Sequence, residues 1–235
     1  MKPTLQNVIW QSAEPWAEDP LPFRDRAEAG RSLAARLMKY ANRQNVRVLA
    51  LPRGGVPVAF EIAEALHAPL DVFLVRKLGV PGHEELAMGA LASGGVRVLD
   101  RSVMETVGAS REDIDAVTAK AQGELERQER AFRPGRPELD LHDQIVILVD
   151  DGIATGSTMR AAILALRQLR TSRIVVAVPV APTTTVGSLA AEADEVVCLH
   201  NILRFSAVGV YYQDFSQVSD DQVKDLLLRA VAIWK

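Results

Sequence analysis

The chain has 235 residues and carries 27 basic against 30 acidic side chains, a net charge of −3. That length holds one sizeable core and leaves little room for a second full domain. The charge excludes the broad basic face of a general nucleic-acid binder, and no apolar stretch approaches the roughly 20 residues of a membrane span.

Residues 1–22 contain Pro3, Pro15, Pro20, Pro22, Trp10 and Trp16 without a sustained period. They predict an irregular arm whose tryptophans pack on the body. Lys2 precedes no apolar h-region, so the start does not read as a secretion signal. Residues 23–235 read as a single domain. From Arg24 a helix is expected, with Ala27, Leu33, Ala34, Leu37 and Met38 on one face. Val46–Leu51 reads as a strand, Pro52-Arg53-Gly54-Gly55 as a turn and Val56–Leu66 as a helix. Leu70–Val75 is a second strand, closed by Arg76-Lys77, and Gly79–Glu85 a polar loop. Met88–Leu91 and Val96–Leu99 flank Ser93-Gly94-Gly95 as a hairpin. Residues 110–132 are charged and helical, expected to face solvent or cover a dimer partner, and Pro134–Pro137 ends them. Ile145–Val149 is a strand, Ser157–Leu169 a helix, Ile174–Val180 a strand, Thr184–Ala191 a short helix and Glu195–Leu199 a strand. The last run holds the only cysteine, Cys198. A lone buried thiol fits a reducing cytoplasm. His67, His83, His142 and His200 have no metal-ligand spacing, so no metal site is read from side chains.

Strands alternating with helices predict an open, mostly parallel sheet with helices on both faces. Ligands of such sheets bind beyond the carboxyl ends of the strands. Three of these ends carry polar or glycine-rich sequence: Pro52–Gly55, Arg76–Glu85 and Asp150–Thr158. In the third, Val146–Val149 leads into Asp150-Asp151, then Gly152-Ile153-Ala154, then Thr155-Gly156-Ser157-Thr158 and a helix. A glycine turn before a helix converges backbone N–H groups on an anion, and the helix end adds about half a positive charge. Ala154–Thr158 therefore suits a phosphate monoester. The carboxylates suit a cis-diol, because an ionised carboxylate only accepts hydrogen bonds and a diol offers two donors. Together they describe a ribose 5-phosphate. The alternative is a plain Asp-Asp-Gly turn with Thr155 or Ser157 as an N-cap. Neither a G-x-x-x-x-G-K-[ST] loop nor a G-x-G-x-x-G turn is present.

Val146–Thr158 resembles the phosphoribosyl-pyrophosphate motif of the type I phosphoribosyltransferases, and the resemblance extends over most of the chain from about Phe23. The family usually has a larger apolar residue where Gly152 stands, which implies a looser loop here. Within the family, the Arg-Lys-x-Gly-x-Pro-Gly stretch and the Tyr-Tyr-x-Asp-Phe ending are similar to a bacterial group with no assigned acceptor. The resemblance implies a type I phosphoribosyltransferase core with a small hood. It implies transfer of a 5-phosphoribosyl group from phosphoribosyl pyrophosphate, with Mg²⁺, to a nitrogen acceptor of the nucleobase class. Pro52–Gly55, with Gly54 and Gly55, looks like the loop that holds pyrophosphate through backbone amides and often contains a strained peptide bond. Arg53, Arg76 and Lys77 are the implied contacts of the departing pyrophosphate, and a homodimer is common in the family.

The hood would combine the arm with Asn201–Phe215. Phe205, Tyr211, Tyr212 and Phe215 offer faces on which a base could stack, against the plainer reading of hood core; Tyr211 and Tyr212 are the acceptor-binding candidates. Glu84 and Glu85 are either an acid/base pair closing on the site or a solvated loop. Two further functions stay open. One is a regulator that binds phosphoribosyl pyrophosphate or a nucleotide without turnover, which Arg53, Arg76 and Lys77 and the lack of a basic helix-turn-helix disfavour. The other is hydrolysis or phosphorolysis of a ribosyl phosphate.

Overall fold

The structure, a computed structural model, describes residues 8–10, 22–108, 110–135 and 139–233; of 8–10, 84–86, 101–102 and 233 it describes the backbone alone. Nine strands and seven helices are found among these residues. The strands are β1 (Val8–Trp10), β2 (Val46–Ala50), β3 (Leu70–Val72), β4 (Val75–Val80), β5 (His83–Ala92), β6 (Val96–Leu99), β7 (Ile145–Val149), β8 (Arg173–Pro182) and β9 (Glu195–Ile202). The helices are α1 (Arg26–Leu37), α2 (Gly55–Leu66), α3 (Arg101–Val107), α4 (Arg111–Phe132), α5 (Ser157–Gln168), α6 (Thr183–Ala190) and α7 (Asp220–Ile233). None of them is long and apolar enough to cross a membrane.

The main sheet has the order β1-β9-β8-β7-β2-β3 with every pair parallel. All five residues of β7 are buried, as are eight consecutive residues of β8. Burial on both faces is why these strands read as near-continuous apolar runs. From the central pair β2–β7, registered Val46 on Ile145 through Ala50 on Val149, the chain winds outward in opposite directions. It runs from β2 to β3 on one side and from β7 to β8 and β9 on the other. That reversal opens a crevice at the carboxyl ends of β2 and β7, and these ends carry Pro52–Gly55 and Asp150–Thr158.

The helices cover the sheet as their spacing dictates. α1 starts on Asp25, whose side chain accepts from Glu28 N at 2.8 Å, and buries Ala29, Leu33, Ala34 and Leu37. α5 buries Met159, Ala162, Ile163 and Leu166, at positions i, i+3, i+4 and i+7. Ser110 and Asp113 form a capping box at the start of α4. α4 is not wholly solvated: Ala121, Leu125 and Phe132 are buried.

Three expectations are corrected. The run Leu70–Val75 is not one strand. β3 stops at Val72, and the chain passes through the buried Phe73 and Leu74 into β4 of a separate antiparallel sheet, β4-β5-β6. Ser93 pins the crossing: its hydroxyl accepts from Leu74 N at 3.0 Å and its own N–H donates to Leu74 O at 2.9 Å. Nor is Gly79–Glu85 a loop, because β4 and β5 are joined directly at Pro81-Gly82. The expected hairpin at Ser93–Gly95 is present as β5–β6. In the arm, Val8–Trp10 form a strand beside β9, so that stretch is not irregular throughout. The side chains of Trp10 and Trp16 lie outside the described residues.

A small lobe closes over the carboxyl end of the sheet. Phe23 N donates to Tyr211 O at 2.8 Å, Gln213 N to Phe23 O at 2.7 Å and Asp214 N to Arg24 O at 2.9 Å. This pairing gathers Phe23, Tyr212 and Val180 into a core of their own, with Ile202, Phe205, Val208 and Tyr211 around it.

Candidate active site

The segment after β7 forms a two-ended cradle. At one end, Gly156 takes a left-handed conformation (φ 77°) and α5 begins at Ser157. Ala154, Thr155, Ser157 and Thr158 are exposed, with the Thr155 hydroxyl 3.4 Å from Ser157 Oγ. The turn rests on the body through Ile153 N, which donates to Val180 O at 2.9 Å, and Thr185 Oγ1, which donates to Ala154 O at 2.9 Å. Amides and hydroxyls at the start of a twelve-residue helix make an anion seat.

At the other end stand Asp150 and Asp151. Asp151 N donates to Asp150 Oδ1 at 2.9 Å. Burial, and after it the Asp151 carboxylate, push Asp150 well above the usual carboxylate range. A carboxyl raised on folding stabilises the protein below its ordinary pKa of about 3.9, and that stability is lost as pH rises towards the folded value. Asp150→Asn keeps the oxygen that accepts from Asp151 N and removes the titration. Its melting temperature should therefore exceed that of the parent by a margin that widens from pH 4 to pH 7. A constant margin in melts across that range would refute the assignment.

The Pro52–Gly55 loop packs directly on these carboxylates. The Pro52–Arg53 peptide is cis, and Leu51 N donates to Val149 O at 2.9 Å. A Cβ on Gly54 would lie 2.0 Å from Asp151 Oδ2, and one on Gly55 2.7 Å from Val149 O. The two glycines thus let one strand-end loop touch the other. A residue with no motif completes the contact: Arg26, in the first turn of α1, places Nε 2.7 Å from Asp151 Oδ2. The Tyr212 hydroxyl donates to the backbone carbonyl of Asp151.

Gly152 does not loosen the loop. It is buried, and a Cβ there would fall 2.5 Å from Val208 Cγ1 and 3.0 Å from Val180 Cγ1. Val208 and Val180 occupy the space that a side chain at position 152 would need. Gly152→Val should cost about 1–3 kcal/mol by overpacking, and Val208→Ala should restore a large part of it. Thermal melts of the two single variants and the double variant would show this; additive losses would mean the contact is not the cause.

The other candidates fall in different places. Arg53 is exposed, 3.5 Å from Asp220. It lines a cavity of about 340 Å³ with Arg26, Gly54, Asp151, Phe215 and Gln217. Arg76 and Lys77 do not converge there. Successive strand residues point to opposite faces, and Arg76 turns towards Glu124 of α4, 3.9 Å away. Lys77 lines a larger groove of about 810 Å³ between the small sheet and α5, with Ala90, Val98 and Leu164. That groove meets residues 154–158 at Ser157 and holds neither carboxylate, whereas the smaller cavity holds Asp151 and none of residues 154–158. Glu84 and Glu85 lie in β5, and their side chains are outside the described residues. Tyr212 is buried between Phe23 and Phe215. Tyr211 stacks on Phe205 at 5.6 Å and is half-buried. Cys198 is remote in character: burial pushes its thiol up to about 12, so it stays protonated at neutral pH.

Paired carboxylates and the exposed start of a helix thus follow β7 at the switch point of a parallel sheet. Residues 23–213 match the phosphoribosyl transferase domain, and the chain belongs to that family. It is 49% identical over 208 residues to Rv0571c of Mycobacterium tuberculosis H37Rv, provisionally named a phosphoribosyl transferase. MT0597 of strain CDC 1551 gives the same identity. The match covers 88% of this chain and 47% of each of those proteins, so the chain spans about half the length of the curated relatives it matches. The crystal structure of TT1426 from Thermus thermophilus is 42% identical and superimposes with a TM-score of 0.81, covering 89% of this chain and 99% of that one.

Proposed function

We propose that the chain binds phosphoribosyl pyrophosphate as its Mg²⁺ complex and transfers the 5-phosphoribosyl group to a nitrogen acceptor of the nucleobase class, releasing pyrophosphate. The observation that carries this reading is the cradle: carboxylates and anion seat on one short segment, with Gly54 and Gly55 pressed against the carboxylates. The 5-phosphate sits on the amides and hydroxyls of Ala154, Thr155, Gly156, Ser157 and Thr158. Asp150 and Asp151 accept from the ribose diol. In the reaction the bond from C1 to the pyrophosphate oxygen breaks and its electron pair leaves with pyrophosphate. A bond from the acceptor nitrogen to C1 forms, and that nitrogen gives up its proton.

Positioning and charge dominate such a step. Arg53 faces the cavity beside Gly54 and meets the departing pyrophosphate, with Lys77 nearer the phosphate end. Mg²⁺ would arrive with the substrate and would supply charge neutralisation on the departing pyrophosphate beside Arg53. Among the described residues no three acidic, His or Cys side chains converge on a metal position. On the acceptor side, Tyr211 and Phe205 offer the stacking platform, and Tyr212 anchors the hood to Asp151. The buried, protonated thiol of Cys198 suits the cytoplasm.

A second reading, donor binding without turnover, gains from one observation. Arg76 points to α4, which removes one of the cations that favoured an enzyme. Incubation with Mg²⁺, phosphoribosyl pyrophosphate and a panel of bases and amines separates the two. Pyrophosphate release that depends on one acceptor supports transfer. Release without acceptor means hydrolysis, and tight binding without release means a sensor. Absence of binding would defeat both readings.

A further inference from the structure

Arg26 sits where its charge is least welcome. The N-terminal turn of a helix carries the positive end of its dipole and favours acids, and α1 otherwise obeys with Asp25 as N-cap and Glu28 in the first turn. Instead of turning to solvent, Arg26 reaches across the crevice. Its Nε lies 2.7 Å from Asp151 Oδ2, with the two side chains 11% and 13% exposed. Its Nη1 donates to the backbone carbonyl of Ser216 at 2.9 Å, and its guanidinium carbon lies over Phe215, 3.9 Å from the ring centre. One side chain therefore joins three segments: the start of α1, the diol-binding end of the cradle and the hood segment after Tyr212.

The arrangement does not block the diol. An ionised carboxylate has about four acceptor positions, and Arg26 uses one of them at Asp151. The guanidinium orients that carboxylate while acceptor positions remain for hydroxyls. A planar fork suits this better than an ammonium, because it bonds at its edge and stacks on its face at once.

We propose that Arg26 is a positioning residue that couples the donor site to the hood: it aims Asp151 at the ribose diol and, through Ser216 and Phe215, ties residues 211–218 to that same carboxylate. The inference rests on the diol assignment made under the proposed function. It adds that occupancy of the donor site is felt in residues 211–218 through Arg26.

The test follows amide hydrogen exchange in peptides covering 211–218, on the full chain with and without Mg²⁺ and phosphoribosyl pyrophosphate, alongside calorimetric affinity. In the parent, donor should slow exchange there. Arg26→Gln should weaken donor binding at least about tenfold, the loss of one charge-assisted bond, and at matched saturation should show no slowing in 211–218. Arg26→Lys should recover part of the affinity without the hood response. Phe215→Leu, which removes the stack and leaves the ion pair, should blunt the hood response with a far smaller loss of affinity. The proposal is overturned if Arg26→Gln binds donor like the parent or if its hood still responds. If Arg26→Gln does not fold, an undiminished hood response in Phe215→Leu overturns it instead. A parent that does not bind the donor defeats the diol assignment itself, a result distinct from a parent that binds and a variant that is indifferent.

Discussion

Asp150→Asn combined with Asp151→Asn is expected to weaken donor binding by about one to three decades. A hydrogen bond to a charged group contributes about 1.5–3 kcal/mol and one to a neutral group about 0.5–1.5 kcal/mol, and 1.4 kcal/mol is a factor of ten. One bond of each kind, at Asp151 beside Arg26 and at the Asp150 carboxyl pushed towards its neutral form, gives the stated range. An amide offers one acceptor oxygen, and its NH₂ presents a donor to a hydroxyl that is itself donating. The fold should survive. The amide at position 150 relieves the burial of a carboxyl that is already pushed towards its neutral form, while the amide at position 151 keeps an oxygen for Arg26 Nε. The loss of charge opposite Arg26 acts against that relief. Calorimetric titration with Mg²⁺ and phosphoribosyl pyrophosphate, beside a thermal melt of each protein, reads both halves. Donor affinity within about threefold of the parent, under about 0.7 kcal/mol, would show that the diol is held elsewhere.

The second large effect is expected at Gly54. Alanine there would put its methyl carbon 2.0 Å from Asp151 Oδ2 and 2.5 Å from its Cγ, closer than any real contact. Asp151 is short and already held by Arg26, so it cannot swing aside without breaking that bond. Gly54→Ala should thus cost about 1–3 kcal/mol as overpacking and fall chiefly on donor affinity, by at least about tenfold. Gly55→Ala differs in kind. Its nearest obstacles, Val149 O at 2.7 Å and Asp150 Cα at 3.0 Å, are backbone atoms of the central strand end, so the damage should appear mainly in stability. Gly123 is the control: it lies inside α4 with no heavy atom within 4 Å of an added Cβ. Gly123→Ala should raise stability by about 1 kcal/mol through helix propensity and leave donor affinity alone. Equal behaviour of Gly54→Ala and Gly123→Ala in titrations and melts would remove the close contact from the account.

Most of the parallel sheet and the whole cradle are legible in the chain because their signals are local. β7 is an unbroken apolar run, and the two carboxylates, the turn and the start of α5 follow it within a few residues. What escapes is what depends on distant partners. Leu70–Val75 has no glycine or proline, and Phe73 and Leu74 are fully buried, so a largely apolar run that leaves one sheet for another looks like a single strand. The fate of Arg76 was latent in the period of two, since neighbours on one strand cannot face one pyrophosphate; the break after β3 decides which faces they take. Arg26 lies 125 positions from Asp151, and its one sequence mark is a cation in a helix's first turn. Gly152 reads as a looser loop until Val208 is seen against it. In the hood, Tyr212 is core and Tyr211 is half-buried, a difference that adjacent tyrosines cannot show in sequence.

The proposed seat for a ribose at one end of residues 150–158 and for its 5-phosphate at the other is tested by the amide resonances of isotope-labelled protein, titrated with ribose 5-phosphate and separately with ribose. Ribose 5-phosphate should move the amides of Thr155, Gly156, Ser157 and Thr158 together with those of Asp150 and Asp151, and ribose at the same concentration should leave 155–158 unmoved. Shifts of equal size from ribose, or shifts confined to the groove around Lys77, Ala90 and Leu164, would contradict it.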